Sequence, residues 1–185
     1  GLSFHVGSQS TSPSTHVAAI EACSRLIEEY EVPIRILDIG GGFPVDYDHA
    51  TDIDIHAFCT PIRAALAKLP EHVEVIAEPG RFLIAPAAAA VTTVVGKALR
   101  GDQPWYYLDD GVYGMFSGII YDHARYPLHV FRTGPTRPSA VVGPTCDSID
   151  VIEEALQLPE LEIGDLVIGR MMGAYTAATA TTFNS

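Results

Sequence analysis

Lysine is almost absent, with only Lys68 and Lys97 in 185 residues. Lys and Arg together number 11 against 23 Asp and Glu, a net charge of −12. Phosphate backbones are bound by clustered Lys and Arg, so no nucleic-acid partner is expected. The acidity reads first as solubility, and second as attraction for a cationic substrate. Cysteine is scarce too: Cys23, Cys59 and Cys146 are odd in number and widely spaced, with no CxxC. That pattern fits neither a disulfide framework nor a zinc site, so no metal is expected and a reducing cytoplasm fits. No long apolar run occurs; the richest, residues 82–95, is short and Ala-rich, so no membrane contact is expected. There is no signal-peptide pattern and no opening Met, and the chain is expected to start inside one strand and stop inside another at 181–185. What is present is 48% apolar residues, enough for a core in one or two domains.

The first half alternates strand and helix. Residues 2–6 read as a short apolar strand, and Ser14 can cap a helix over about 15–30. Pro33 precedes a second buried strand at 34–39 that ends in three glycines. Residues 53–69 read as a helix with Phe58, Ile62, Ala65, Leu66 and Leu69 on one face, and 73–77 as a third strand. Repeated strand-turn-helix units with continuous apolar strands predict a parallel sheet covered by helices. From about Ala88 the texture changes. Short strand candidates at 91–99, 105–109, 118–121, 128–131, 140–142 and 165–168 are separated by Gly, Pro and Asp, which predicts an antiparallel β domain. Residues 149–155 read as one short helix.

Chemistry concentrates where these strands end. Gly40, Gly41 and Gly42 can turn sharply and present N–H groups to an anion with no Cβ in the way. A plain tight turn explains them as well, and they match neither G-x-G-x-x-G nor a Walker loop. Gly7-Ser8 repeats the arrangement, and the Ser8 hydroxyl can reach a phosphate. His5 lies where an imidazole can pack flat on a bound ring, although alone it reads as a core histidine; the other six histidines read as solvated. Glu78 can keep a pyridine nitrogen protonated and Arg81 can pair with a phosphate, or the two can form a capping ion pair. Parallel α/β sheets and barrels collect their sites at the carboxyl ends of strands, which favours the joint functional reading. In the second half Cys146 can donate a proton and Asp147 can bind an amine, though buried cysteines are usually inert. Tyr121-Asp122 can meet a cation or end a strand, and Tyr175 can pack with one hydrogen bond.

The motifs HVGSQ (5–9), LDIGGGFP (37–44), AEPGR (77–81), YLDDGVYG (107–114), YDHARYP (121–127), GPTCDSID (143–150) and GDLVIGRMMGAYTAATATTFN (164–184) follow one order. Over nearly its whole length the chain resembles the alanine-racemase-like, fold type III pyridoxal-phosphate decarboxylases, and the ornithine decarboxylase branch most closely. The resemblance implies an α/β plus β architecture: the last three strands of a (β/α)8 barrel over 1–88, then a β domain over 89–185. It implies pyridoxal 5'-phosphate as cofactor. His5 would stack on its ring, Ser8, Gly40, Gly41, Gly42, Arg81 and Tyr175 would hold its phosphate, and Glu78 would pair with its ring nitrogen. Tyr121, Asp122 and Asp147 would receive the substrate's distal amine, and Cys146 would return a proton after carbon dioxide departs. Cys146 and Asp147 would serve the partner subunit's site, so a cytoplasmic homodimer with shared active sites is implied.

Within the family, CDS and YDH resemble a diamine-forming branch, whereas the diaminopimelate branch resembles CES. Ornithine, giving putrescine for polyamine synthesis, is preferred to lysine, although one methylene separates them by only about 1–3 kcal/mol. The family's cofactor lysine lies on an early barrel strand, which neither Lys68 nor Lys97 matches, so this chain alone is expected to be inactive. The alternatives are a lysine/ornithine or diaminopimelate decarboxylase, a racemase, and a non-catalytic decarboxylase-like protein. Cys146, Asp147, Glu78 and Arg81 together speak against the last.

Overall fold

The computed structural model describes residues 1–31, 33–47 and 53–184. The chain divides into two compact units, Gly1–Leu83 and Ile84–Ser185.

In the first unit, β1 (Leu2–Ser3), β2 (Ile36–Asp38) and β3 (Glu74–Ile76) form a parallel sheet in that order. Leu37 stands opposite Leu2 on one side and Val75 on the other. The connections carry helices α1 (Ser14–Glu29) and α2 (Ile55–Leu66), the crossover that parallel pairing requires. Both helices follow from apolar spacing. His16, Ile20 and Ile27 are the buried positions of α1, and Phe58, Ile62 and Ala65 those of α2. They join Leu37 and Ile39 in one core, where each large side chain contributes about 1.5–3 kcal/mol. Strand residues alternate between faces, so the opposite face carries Ile36 and Ile76, which remain about 40% exposed (39% and 41%). Asp54 caps α2, its carboxylate accepting from the amides of His56 (2.9 Å) and Ala57 (3.2 Å). Ser14 does not cap α1 as expected. Pro13 occupies the cap position with φ −66°, already helical, so the helix begins at Ser14 itself.

The second unit is a six-stranded sheet. Its strands are β4 (Ala90–Arg100), β5 (Gln103–Leu108), β6 (Leu128–Val130), β7 (Arg137–Val142), β8 (Val151–Leu158) and β9 (Leu166–Gly169), in the order β6-β9-β4-β5-β7-β8. Its core holds Val94, Tyr106, Leu108, Phe116, Val141 and Val167. The antiparallel expectation needs one correction: β5 and β7 run parallel. The chain between them is long enough to return to the same end of the sheet before re-entering.

Three local expectations also fail. After the five-residue helix α3 (Gly80–Ile84), residues 118–121 are not a strand but belong to a second short helix, α4 (Gly118–Asp122). The chain is already winding before it, through Phe116 N–H to the Gly111 carbonyl (3.1 Å) and Ser117 N–H to that of Gly114 (3.2 Å). Residues 149–155 are not a helix. Pairing with β7 draws 151–158 into β8 despite the helix-favouring Glu153-Glu154-Ala155-Leu156. Residues 181–184 form no strand; Thr181 instead donates its N–H to the Tyr113 carbonyl at 2.7 Å, and Ser185 lies outside the described residues. No helix among the described residues is long and apolar enough to cross a membrane.

Candidate functional site

The first unit brings His5, Gly40–Gly42 and Glu78 together at the carboxyl ends of three adjacent strands. The Glu78 N–H donates to the Gly40 carbonyl at 2.8 Å, and the Ser10 N–H to that of Gly42 at 2.9 Å. A Cβ on Gly41 would lie 2.8 Å from the Glu78 carbonyl oxygen and 3.2 Å from His5 Nε2. Gly40 (φ +64°) and Gly42 (φ +89°) sit in the region that disfavours side chains, and Cβ atoms there would strike the Phe4 and Gly7 carbonyls. The amides of Gly41 and Gly42 donate to no acceptor among the described residues. Two N–H groups without a partner among the described residues, on a turn that leaves no room for a Cβ, make a cradle that an anion such as a phosphate can use.

His5 is exposed and not a core histidine. Its Nδ1 accepts the Gly7 N–H at 2.9 Å, which leaves Nε2 to carry the proton of the neutral ring. Ser8 and the Glu78 side chain are also exposed. Arg81, in α3, is buried and donates from Nη1 to the Tyr47 hydroxyl at 2.7 Å. The Tyr47 hydroxyl is thus one of the groups that orient its guanidinium.

In the second unit Cys146 and Asp147 occupy the turn between β7 and β8. The thiol is exposed, and Asn184 Nδ2 donates to its sulfur at 3.2 Å. The Tyr113 hydroxyl donates to Asp147 Oδ2 at 2.5 Å, while Asp147 Oδ1 accepts from the Ile149 amide at 3.1 Å. Both bonds favour the ionised carboxylate, and Asp147 is held below the usual carboxylate range, chiefly by Tyr113. The same bond pushes the Tyr113 phenol up to about 12. Phe183 lies against Tyr113 with ring centroids 4.4 Å apart. A thiol and a committed carboxylate thus sit side by side, one able to supply a proton and the other to hold a cation.

Asp150 fixes that turn. It is 3% exposed; Oδ1 accepts from the Val112 amide at 2.9 Å, and Oδ2 accepts from the amide (2.9 Å) and hydroxyl (2.7 Å) of Thr145. One buried carboxylate thereby ties the loop bearing Tyr113 to the loop bearing Cys146. A Cβ on Gly111 or Gly143 would strike it, which explains both glycines. Tyr121 and Asp122 lie in α4, both exposed. The turn before α4 is pinned by Ser117, whose hydroxyl donates to the Thr176 carbonyl at 3.1 Å and meets Thr179 Oγ1 at 2.7 Å. Tyr175 is adjacent, exposed, with φ +52°. Tyr175 thus lies near α4, and one cavity is lined both by α4 residues Ile119 and Ile120 and by Ser148 and Ile149, which follow Asp147.

Composition and spacing give no role to Asp150, Tyr113 or Asn184. His16, expected to be solvated, is fully buried; His56, His72, His123 and His129 are exposed, and His49 lies outside the described residues. The signal was available, since His16 stands four residues before Ile20 on the apolar stripe of α1.

Comparison with known proteins adds a family. Residues 15–173 match the description "pyridoxal-dependent decarboxylase, C-terminal sheet domain". The lysine/ornithine decarboxylase of Selenomonas ruminantium is 46% identical over 187 residues, covering 100% of this chain and 48% of that protein. The ornithine decarboxylase of Cricetulus griseus is 39% identical, covering 100% and 45%. Among solved structures, the lysine/ornithine decarboxylase of Vibrio vulnificus with cadaverine is 56% identical with a TM-score of 0.94, covering 100% of this chain and 52% of that one. The chain therefore spans about half the length of the relatives it matches.

Proposed function

The chain belongs to the pyridoxal-dependent decarboxylases, and on that premise we propose that the protein carrying it decarboxylates L-ornithine to putrescine with pyridoxal 5'-phosphate. The observation that carries the substrate class is the Asp147 carboxylate, kept ionised by Tyr113 beside the Cys146 thiol. A carboxylate there suits the side-chain ammonium of a diamino acid. It suits a zwitterionic substrate end poorly, because that end brings a second negative charge.

When bound, pyridoxal 5'-phosphate supplies the electron sink that lets the bond to the carboxylate break. The remaining work falls to the chain. The Gly41 and Gly42 amides, Ser8, Arg81 and Tyr175 would hold the phosphate, and Glu78 would hold the ring nitrogen protonated. His5 would lie against the ring, at the place where its Nε2 stands close to Gly41. Asp122 and Asp147, with Tyr121 beside them, would orient the distal ammonium. Cys146 Sγ would deliver a proton to the carbon that lost carbon dioxide. On the same reading the first unit is the last three strands of a (β/α)8 barrel, and the protein is a cytoplasmic homodimer in which Cys146 and Asp147 serve the partner's site.

A second reading, one site taking both ornithine and lysine, is favoured by the Vibrio vulnificus enzyme, which is 56% identical and solved with cadaverine and with putrescine. Carbon dioxide release by the intact protein from ornithine, lysine, arginine and diaminopimelate separates the readings. Ornithine should exceed lysine by about tenfold or more if the pocket discriminates one methylene. Equal rates support the dual reading, and turnover of diaminopimelate alone removes both.

A further inference from the structure

His16 is fully buried, and the mechanism above gives it no task. Its ring packs in a three-ring cluster with Phe43 (centroids 5.0 Å apart) and Phe58 (6.0 Å), which also touch each other (6.3 Å), a place that suits a third phenyl ring. A phenylalanine there would avoid a penalty that histidine incurs: Nδ1 is buried with no hydrogen-bond partner among the described residues. The compensating contact is at the other nitrogen. Nε2 lies 3.0 Å from the Gly41 carbonyl oxygen. That oxygen only accepts, so Nε2 carries the hydrogen and donates. Burial, which pushes the ring's pKa down, keeps it neutral with this single proton.

The consequence follows from peptide geometry. No peptide bond among the described residues is cis, so the Gly41 carbonyl and the Gly42 N–H point in opposite directions. Holding the carbonyl on His16 aims the Gly42 N–H away from α1. Glycine on both sides of that peptide makes a flip cheap. A flipped peptide would offer an anion the Gly41 carbonyl oxygen in place of the Gly42 N–H, exchanging attraction for repulsion.

We propose that His16 is a positioning residue for the phosphate cradle: its hydrogen bond to the Gly41 carbonyl locks the 41–42 peptide in the orientation that presents the Gly42 amide to the cofactor's phosphate. The inference rests on the cradle reading given above. It touches neither cofactor nor substrate, so it acts on the phosphate end alone.

The test compares pyridoxal 5'-phosphate with pyridoxal, which lacks the phosphate, in binding to the intact apoprotein by equilibrium dialysis. His16→Phe fills that place without a donor. It should leave pyridoxal affinity and melting temperature unchanged while weakening pyridoxal 5'-phosphate binding by about tenfold, the worth of one hydrogen bond. His16→Gln, whose amide can reach the same carbonyl, should restore much of the loss. Should His16→Phe fail to fold, His16→Leu takes its place. A variant that keeps the wild-type preference for the phosphorylated ligand, or that weakens both ligands equally, overturns the proposal. Wild-type protein with no preference overturns the cradle reading itself, a distinguishable outcome.

Discussion

In the first unit the candidate site's donors without a partner among the described residues are peptide amides, at Gly41 and Gly42, beside the exposed side chains of His5, Ser8 and Glu78. In the second the corresponding groups are side chains, the Cys146 thiol and the Asp147 carboxylate. Each arrangement has its own support. The amides are aimed by locked carbonyls, since Gly40, Gly41 and Gly42 accept from Glu78, His16 and Ser10 respectively. The side chains are aimed by one buried anion, Asp150, through three donors. A backbone site distributes its support over many weak bonds and tolerates no added Cβ. A side-chain site concentrates its support and fails when one residue is lost.

The largest effect should therefore come from Asp150→Ala. It strands the Val112 and Thr145 amides and the Thr145 hydroxyl, at a cost of about 3–5 kcal/mol. Amide hydrogen exchange should then lose protection at residues 111–115 and 143–150 while the 36–42 segment is unchanged. Unaltered exchange at Val112 and Thr145 would show that the two loops are held by something else.

Next in size is Gly40→Ala. The position has φ +64°, and the new Cβ would strike the Phe4 carbonyl, so both strain and overlap contribute, about 2–3 kcal/mol together. The melting temperature should fall and pyridoxal 5'-phosphate affinity with it, because the shift propagates into the neighbouring amides. A variant of wild-type stability and affinity would show that the turn relaxes freely, and the backbone-site description would have to be given up.

The same contrast explains what was legible in the sequence. A backbone site is written in glycines, and GGG after an apolar strand marks a sharp turn there without deciding between a plain turn and an anion cradle. Apolar period also announced the three parallel strands and the two long helices. The side-chain site was legible only through the CDS resemblance, because nothing local distinguishes Asp150 from a surface aspartate. Its burial comes from residues 38 positions away, at Val112. The swapped elements failed for a related reason. Ile119-Ile120 has β-branched residues but no strand beside it, and Glu153–Leu156 has helical residues but an open edge of β7 to pair with. Propensity is local and pairing is not.

The smallest effect tests the electrostatics of the second site. Tyr113 and Asp147 share one hydrogen bond, and each group's titration reports it. The Asp147 pKa is lowered, so the bond's contribution is present above the unfolded carboxylate's value and is lost as pH falls through the lower folded one. The Tyr113 pKa is raised, so its contribution is complete below 10 and is lost as pH rises through about 12. The pair therefore stands throughout the neutral range, where Asp147 is an anion and a diamino acid's side chain is an ammonium. Ultraviolet titration of the phenols, with Tyr113→Phe as the reference that identifies the residue, should find Tyr113 still protonated between 10 and 12. Asp147→Asn should return it toward the ordinary value of 10, giving one more phenolate in that interval. If Tyr113 titrates near 10 in both proteins, the bond is not formed in solution, and Asp147 is free to turn toward a ligand without first giving up a partner.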